Sequence, residues 1–225
     1  FLFFDNCIAA TPAIASRFSK DCVVVQNFPF SEEFKVNRNM SNNLSAFIYS
    51  GGISELRGFH EMVSAMHLTK SEAKLKFAGE FYPEELETEL AGIYSKGNIT
   101  YKGNLSRQDL HEELSSSIAG LVLFHPVENH INSQPNKLFE YMSASLPVIA
   151  SKFPLWEEIV GNNKCGILVD PLDSQEIASA IDYLMNNPQE AMEMGKRGRL
   201  AVESRYNWDQ ESKALIDLYK KQVID

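Results

Sequence analysis

The sequence has 225 residues, of which 44% are hydrophobic and 23% are charged, as in ordinary globular proteins. Its formal net charge of −9 argues against a nucleic-acid-binding protein, which would usually carry a basic face. The apolar run Phe1–Phe4 ends at once at Asp5, so it is too short to span a membrane. The three cysteines, Cys7, Cys22 and Cys165, lack metal-ligand spacing and are predicted to be separate buried thiols in the reducing cytoplasm.

The first 43 residues differ in pattern from the rest of the chain. There is no initiator methionine, and the chain begins inside an apolar run, as a piece cut from a longer protein would. Residues 1–26 are predicted to form a strand, a short helix and a strand, with Thr11 capping the helix and Pro12 at its first position. Three such small elements cannot bury a core, so they are interpreted as the remnant of a neighbouring domain. Residues 27–43 are polar and turn-rich, which predicts an interdomain linker.

From residue 44 to residue 206, strand and helix patterns alternate. The predicted strands are short apolar runs without alternation, as expected when both faces of a sheet are covered. The pattern predicts an α/β fold with a doubly wound, parallel, six-stranded Rossmann-like sheet. Residues 207–225 are predicted to form a terminal amphipathic helix. The predicted strands are 45–50, 74–79, 98–102, 118–124, 147–151 and 166–169; the predicted helices are 57–68, 83–95, 106–116, 136–144, 154–161, 173–187 and 188–204.

Two loops of the predicted sheet carry the residues that favour a binding site. Right-handed crossovers bring the first and fourth strands of this domain together, so the loops after them face the same crevice. After the first strand, Gly51 and Gly52 allow a close backbone approach to a ligand, and Arg57 can bind a phosphate. A simple glycine turn with a solvated arginine explains the same residues about equally well. The glycine spacing excludes the dinucleotide fingerprint, and the lack of a Gly-Lys-Ser/Thr sequence excludes a P-loop.

The stretch Asn132–Glu140 lies after the fourth strand, where a polar loop leads into a helix. A carboxylate such as Glu140 commonly accepts hydrogen bonds from two ribose hydroxyls. Lys137 is a candidate partner for a phosphate or for a nearby carboxylate. A helix-surface acid and a solvated lysine are the alternative interpretations. The intervening loop residues Ser133, Gln134, Pro135 and Asn136 complete the candidate site.

The histidines and the remaining acid near this loop do not indicate a metal centre. His125 and His130 lack accompanying ligands at metal-binding spacing, which favours loop histidines without a further role. Glu128 is more readily explained as a solvated loop acid. No metal site and no cofactor are predicted.

The order of these motifs resembles the donor-binding, C-terminal domain of family four glycosyltransferases. The resemblance covers nearly the whole chain, and its specific part is residues 120–170, which contain Pro135–Met142, Leu146–Ile149 and Gly166–Val169. The resemblance implies one half of a GT-B fold and a retaining, nucleotide-sugar-dependent, metal-independent enzyme. Residues 1–26 would then belong to an otherwise missing N-terminal acceptor domain, and the terminal helix would cross back to it.

The resemblance also implies roles for individual residues. Glu140 matches the second glutamate of a paired motif that holds the ribose, and Arg57 matches a basic residue that binds the donor diphosphate. The backbone from Ser133 to Asn136 matches the loop around the phosphate and sugar. Two positions depart from the family pattern: Asn132 stands where the first glutamate is expected, and Gly52 stands where an arginine is frequent.

The resemblance therefore implies transfer of a sugar from a nucleoside diphosphate sugar to a glycan or lipid-linked acceptor. The expected location is the cytoplasm, with peripheral membrane association through the missing half, and no nucleic-acid partner is expected. Two alternatives remain: a non-catalytic nucleotide-sugar-binding or scaffolding domain, and a sugar-nucleotide epimerase of the same fold. The departures at Gly52 and Asn132 favour the first of these, whereas an epimerase would need no acceptor.

Overall fold

The computed structural model describes residues 7–18, 22–36, 44–93 and 97–223. Its first part is a small unit made of the strand β1 (Cys7–Ala9), the helix α1 (Pro12–Ala15) and the strand β2 (Cys22–Val24). The Thr11 hydroxyl accepts a hydrogen bond from the Ile14 amide at 3.2 Å, which confirms the predicted cap. Of the predicted linker, residues 37–43 lie outside the described residues.

The prediction of separate thiols is wrong for two of the three cysteines. Strands β1 and β2 pair in parallel with Cys7 opposite Cys22, and the two residues form a disulfide with Cα atoms 4.5 Å apart. Sequence spacing did not indicate this bond because the pairing depends on the strand register. Cys165 is a free buried thiol, as predicted, and burial raises its pKa to about 12.

The main part of the chain confirms the predicted α/β fold. Six parallel strands form one sheet in the order β5-β4-β3-β6-β7-β8, so the strand order reverses between the neighbours β3 and β6. Every residue of β3 and β6 is buried, because helices cover both faces of the sheet. The strands are β3 (Ala46–Ser50), β4 (Lys74–Ala78), β5 (Ile99–Tyr101), β6 (Ala119–Val122), β7 (Val148–Ser151) and β8 (Gly166–Val169).

The helices follow the predicted order, with three differences. Arg57, predicted to begin a helix, lies in a separate 3-10 turn, Glu55–Arg57, and the helix begins at Phe59. A four-residue helix, α5, forms within the loop predicted to be irregular, and the predicted helix 154–161 is a short α-helical turn followed by a wider π-helical turn over Glu157–Gly161. The helices are α2 (Phe59–Leu68), α3 (Glu85–Ile93), α4 (Arg107–Ser115), α5 (Glu128–Ile131), α6 (Asn136–Ser143), α7 (Pro154–Trp156), α8 (Ser174–Asn186), α9 (Pro188–Ser204) and α10 (Trp208–Val223).

Two apolar layers hold these helices to the sheet. Helices α2 and α8 pack together on one face, and α6 and α9 pack together on the other. Phe28 and Phe34, from the described part of the predicted linker, are buried in the α6 layer. This segment is therefore packed on the domain that follows it. Within the described residues, no helix is both long and apolar enough to cross a membrane.

Candidate functional site

A cavity of about 620 Å³ opens at the carboxyl ends of β3 and β6, at the predicted switch point. All the predicted site residues line it except Asn132. Sequence reasoning did not name several other lining residues, among them Asn104, Arg107 and His130. The predicted residues in the wall are Gly51, Gly52, Arg57, Ser133, Gln134, Pro135, Asn136, Lys137 and Glu140.

Glycines shape the side of the cavity that follows β3. The backbones of Gly51 and Gly79 touch so closely that a Cβ atom on Gly79, whose φ is +137°, would collide with the Gly51 carbonyl. A Cβ atom on Gly52 would collide with the Arg57 guanidinium, whose Nη1 donates a hydrogen bond to the Gly52 carbonyl at 3.0 Å. Glycine at position 52 therefore leaves room for Arg57 in the cavity wall.

The opposite side of the cavity is the start of α6, which two hydrogen bonds anchor from outside the helix. The Tyr141 hydroxyl accepts a hydrogen bond from the Ser50 amide at 2.8 Å, which fixes α6 against the end of β3. The indole of the fully buried Trp156 donates to the Ser133 carbonyl at 2.8 Å, which holds the loop before α6. The first turn of α6 thus presents backbone N–H groups and its positive dipole end beside the cavity, an arrangement suited to an anion.

Lys137 is the least expected group in the wall, because a buried ammonium normally has a partner. Its Nζ atom is fully buried and has no hydrogen-bond partner among the described residues. The atom lies 3.6 Å from the centre of the Tyr49 ring, a cation–π contact. Burial lowers the pKa of Lys137 well below that of an ordinary lysine, and the nearby Arg57 cation adds to this, while Glu140 opposes it.

Glu140 is also buried, but it has a partner that the sequence did not reveal. The guanidinium of Arg107, at the start of α4, donates to the Glu140 carboxylate at 2.8 Å. A second ion pair, 2.6 Å long, joins Arg107 to Glu33 of the predicted linker. These residues come from three separate parts of the chain, and no sequence spacing relates them.

The structure also places His130 and Asn132 differently from what the sequence predicted. His130, predicted to be a loop histidine without a role, lines the cavity, packs on Phe124 and shares a 3.2 Å hydrogen bond with the His125 carbonyl through Nδ1. Burial lowers the pKa of His130, partly offset by that hydrogen bond, and the Arg57 cation lowers it further. Asn132 is exposed at the end of α5, with its amide 3.4 Å from the Glu128 carbonyl.

The described part of the chain contains no cluster of three or more histidine, cysteine, aspartate or glutamate side chains able to hold a metal ion. His125 lies 3.0 Å from the Glu61 carboxylate, outside the set of cavity-lining residues. The charged groups that face the cavity are thus Arg57, Arg107, Lys137 and Glu140.

Comparison with known proteins identifies the family. The model of the group 1 glycosyl transferases matches residues 30–201. The chain belongs to this family. A GDP-mannose-dependent α-(1-6)-phosphatidylinositol monomannoside mannosyltransferase from Mycobacterium tuberculosis is 26% identical over 125 residues, which cover 55% of this chain and 32% of the relative. The match therefore spans about a third of that relative's length.

Solved structures confirm the likeness of this family member to GT-B glycosyltransferases. A sucrose-phosphate synthase from Thermosynechococcus elongatus superposes with a TM-score of 0.81 at 20% identity, covering 98% of this chain and 59% of that one. The Anabaena protein HepE in complex with UDP-glucose gives a TM-score of 0.80 at 14% identity, covering 97% and 64% of the two chains. At these identities the likeness concerns the fold alone.

Proposed function

We propose that this chain is the donor-binding half of a retaining glycosyltransferase that uses a nucleoside diphosphate sugar. Group 1 membership supplies the enzyme class. The donor lies in the 620 Å³ cavity, with its diphosphate near Lys137 and Arg57 and its ribose at Glu140. Family membership alone leaves the ligand and the mechanism open, and this proposal assigns both.

The observation that carries the proposal is the unpartnered Nζ atom of Lys137. A buried ammonium without a hydrogen bond costs free energy, and a dianionic diphosphate would offset that cost. The Arg57 guanidinium and the N-terminal amides of α6 line the same cavity, so several donors converge on one anion. Bound phosphate would also raise the pKa of Lys137 back towards the value of an ordinary lysine.

Glu140 supports a nucleoside rather than a bare phosphate as ligand. Its Oε2 atom accepts no hydrogen bond from any residue that the structure describes, whereas Oε1 is held by Arg107. A carboxylate with open acceptor sites beside a phosphate pocket suits the two vicinal hydroxyls of a ribose. The similarity to HepE, whose structure was solved in complex with UDP-glucose, supports a nucleotide sugar as ligand.

The proposed reaction breaks the bond between the anomeric carbon of the sugar and the diphosphate oxygen, and forms a bond from that carbon to the acceptor oxygen. The leaving diphosphate gains negative charge in the transition state, and the cations of Lys137 and Arg57 stabilise that charge. The departing phosphate oxygen then helps to deprotonate the acceptor hydroxyl on the same face of the sugar, which retains the anomeric configuration. No side chain of this half is assigned as a nucleophile.

The acceptor and its binding domain are part of the same proposal. We place the acceptor on a separate N-terminal domain of the full protein, of which residues 1–26 are the last part. This chain covers only 59% of the sucrose-phosphate synthase chain, which supports a full protein longer than the present sequence. The acceptor is a glycan or lipid-linked sugar, supported by the mycobacterial relative whose name specifies phosphatidylinositol monomannoside. Peripheral contact with a membrane would then belong to that domain.

Calorimetric titration of the chain with UDP, GDP, ADP and the matching sugar nucleotides tests the donor site. We expect one nucleotide to bind, and Lys137→Met and Glu140→Gln each to weaken it about tenfold or more. The matched control is Lys196→Met, because Lys196 is a surface lysine paired with Glu193. Equal binding by wild type and both variants would contradict the proposal. Incubation of a sugar nucleotide without acceptor separates transfer from epimerisation, since only an epimerase changes the sugar.

A further inference from the structure

We infer that Arg107 is a positioning residue that holds the Glu140 carboxylate ready for the ribose, and that the predicted linker segment holds Arg107. This inference rests on the proposed function, because it takes Glu140 as the ribose ligand. It assigns roles to Arg107 and the linker that the family likeness does not supply. The linker becomes a component of the donor site, through Glu33 and Phe34.

The geometry of Arg107 shows a guanidinium shared between two acids. Its Nη1 atom donates to Oε1 of Glu140 at 2.8 Å, and its Nη2 atom lies 2.6 Å from Oε1 of Glu33. The planar fork of a guanidinium fixes both contacts at once, which a lysine ammonium does not do. The donor at Oε1 restrains the Glu140 carboxylate, and Oε2 has no hydrogen-bond partner among the described residues.

The linker turn restrains Arg107 from its other side. Phe34, which is 1% exposed, lies beneath the guanidinium with the Arg107 Cζ atom 4.8 Å from its ring centre. Glu33 immediately precedes Phe34, so one short turn supplies both the charge and the aromatic face. A second charge pair ties the same turn to the domain, since Glu32 lies 3.0 Å from the buried Arg199.

Arg107 also lines a second cavity. A smaller cavity of about 320 Å³ lies under the linker, lined in part by Glu33, Phe30 and Trp208. Arg107, Asn136 and Glu140 line both this cavity and the larger one, so the Arg107–Glu140 pair lies where the two cavities adjoin. Without Arg107, the Glu140 side chain would be free to turn away from the ribose position.

A stabilising role explains this arrangement less well than a positioning role. The Arg107 side chain is 62% exposed, and exposed ion pairs contribute little to folding stability. The Glu140 side chain is only 11% exposed, so what Arg107 changes is the orientation of a buried carboxylate. We therefore expect the loss of Arg107 to change ribose recognition much more than the melting temperature.

The test compares a ribonucleotide with an analogue that lacks the ribose hydroxyls. The probe is UDP or GDP, whichever binds the wild-type chain more tightly, and the analogue is its 2′,3′-dideoxy form. The dissociation constants of both are measured by calorimetry for wild type, Glu140→Gln, Arg107→Gln, Arg107→Lys and Glu33→Gln. Arg197→Gln is the matched control, because Arg197 also joins an acid, Glu190, and a backbone carbonyl but lies away from the cavity.

We expect Arg107→Gln to lower the preference for the ribonucleotide about tenfold, as Glu140→Gln does, while affinity for the dideoxy analogue stays within about twofold. Glu33→Gln should give a smaller fall in the same ratio, Arg107→Lys should restore it in part, and Arg197→Gln should leave it unchanged. Glu33→Gln also keeps the test valid if Arg107→Gln does not fold.

Two results would overturn the inference while leaving the proposed function intact. In the first, Glu140→Gln removes the ribose preference but Arg107→Gln and Glu33→Gln do not. In the second, Arg107→Gln weakens both nucleotides equally, which indicates direct contact with phosphate. If Glu140→Gln itself keeps the full preference, the ribose assignment fails and the inference is wrong with it.

Discussion

A buried cation lies at each end of α6, one within the helix and one on the neighbouring α9, and their surroundings differ. Lys137 near the start of α6 and Arg199 beside its end are both 8% exposed. Arg199 donates to the Ser143 carbonyl at 3.0 Å and to Glu203 and Glu32 at 2.8 and 3.0 Å. Lys137 has no hydrogen-bond partner among the described residues. The two cations are thus equally buried, but only Arg199 has hydrogen-bond partners among the described residues, and the proposed function assigns Lys137 to ligand binding.

The Arg199 end should determine folding stability. Arg199→Met leaves the Ser143 carbonyl at the end of α6 unsatisfied and removes two ion pairs, so we expect the free energy of unfolding to fall by about 3 kcal/mol. Urea denaturation measures this change. The control Arg197→Met removes a more exposed ion pair and should cost less than about 1 kcal/mol. Similar costs for the two variants would contradict the structural role of Arg199.

The Lys137 end should determine binding instead, and Arg57 belongs to that end. Arg57→Met should weaken nucleoside diphosphate binding about thirtyfold, through loss of a charge-assisted hydrogen bond, with little effect on unfolding. Calorimetric titration gives the affinity and thermal denaturation the stability. Arg205→Met serves as a control, because Arg205 stacks on Tyr206 outside the set of cavity-lining residues. An unchanged affinity for Arg57→Met would remove Arg57 from the site.

The lowered pKa of Lys137 predicts that nucleotide affinity depends on pH. Burial and the Arg57 cation lower this pKa, so the free chain loses the ammonium at a lower pH than an ordinary lysine would. As pH rises through the lowered pKa, we expect affinity to fall up to about tenfold in wild type and to stay nearly flat in Lys137→Met. Parallel pH profiles for the two proteins would show that another group titrates.

The sign of the stability change over this pH range is opposite to that of the affinity change. The unfolded chain holds the Lys137 proton to a higher pH than the folded chain, so folding stability should rise as pH increases between the two pKa values. Below both values the cost of burying the ammonium is fully present. Denaturation at several pH values, in wild type and Lys137→Met, measures this contribution.

The smallest predicted effect on stability and affinity comes from the hydrogen bond that holds the loop before α6. Trp156→Phe removes the hydrogen bond to the Ser133 carbonyl and should cost about 1 kcal/mol of unfolding free energy, with a slightly weaker nucleotide affinity. Trp208→Phe is the control, since Trp208 lines only the smaller cavity. The prediction fails if Trp156→Phe leaves both stability and affinity unchanged.

The architecture and the position of the cavity were predictable from the sequence because both depend on local patterns. Short apolar runs with glycine and proline at their ends indicated buried parallel strands, and the order of elements placed the Gly51 and Asn132–Glu140 loops at one crevice. Right-handed crossovers leave little choice in this step. The cavity accordingly contains all but one of the predicted site residues.

The remaining features depend on tertiary structure that no local pattern encodes. Arg107 meets Glu33 and Glu140 only because the start of α4 packs beside the linker turn. Asn132 lies outside the cavity wall because the short helix α5 ends there and leaves it exposed. The disulfide between Cys7 and Cys22 follows from strand register. The sequence allowed a plausible interpretation of each of these residues on its own. Only the residues that surround it in the folded structure changed that interpretation.

We propose that the burial of Lys137 serves the binding of an anionic ligand and not the stability of the fold. Thermal unfolding of wild type and Lys137→Met, each with and without the nucleoside diphosphate that binds best, tests this claim directly. We predict that Lys137→Met melts at a higher temperature than wild type without ligand, because a buried unpaired ammonium is costly. With ligand, wild type should gain stability through binding and Lys137→Met should gain much less. A variant that melts lower without ligand and gains as much as wild type with it would contradict the claim.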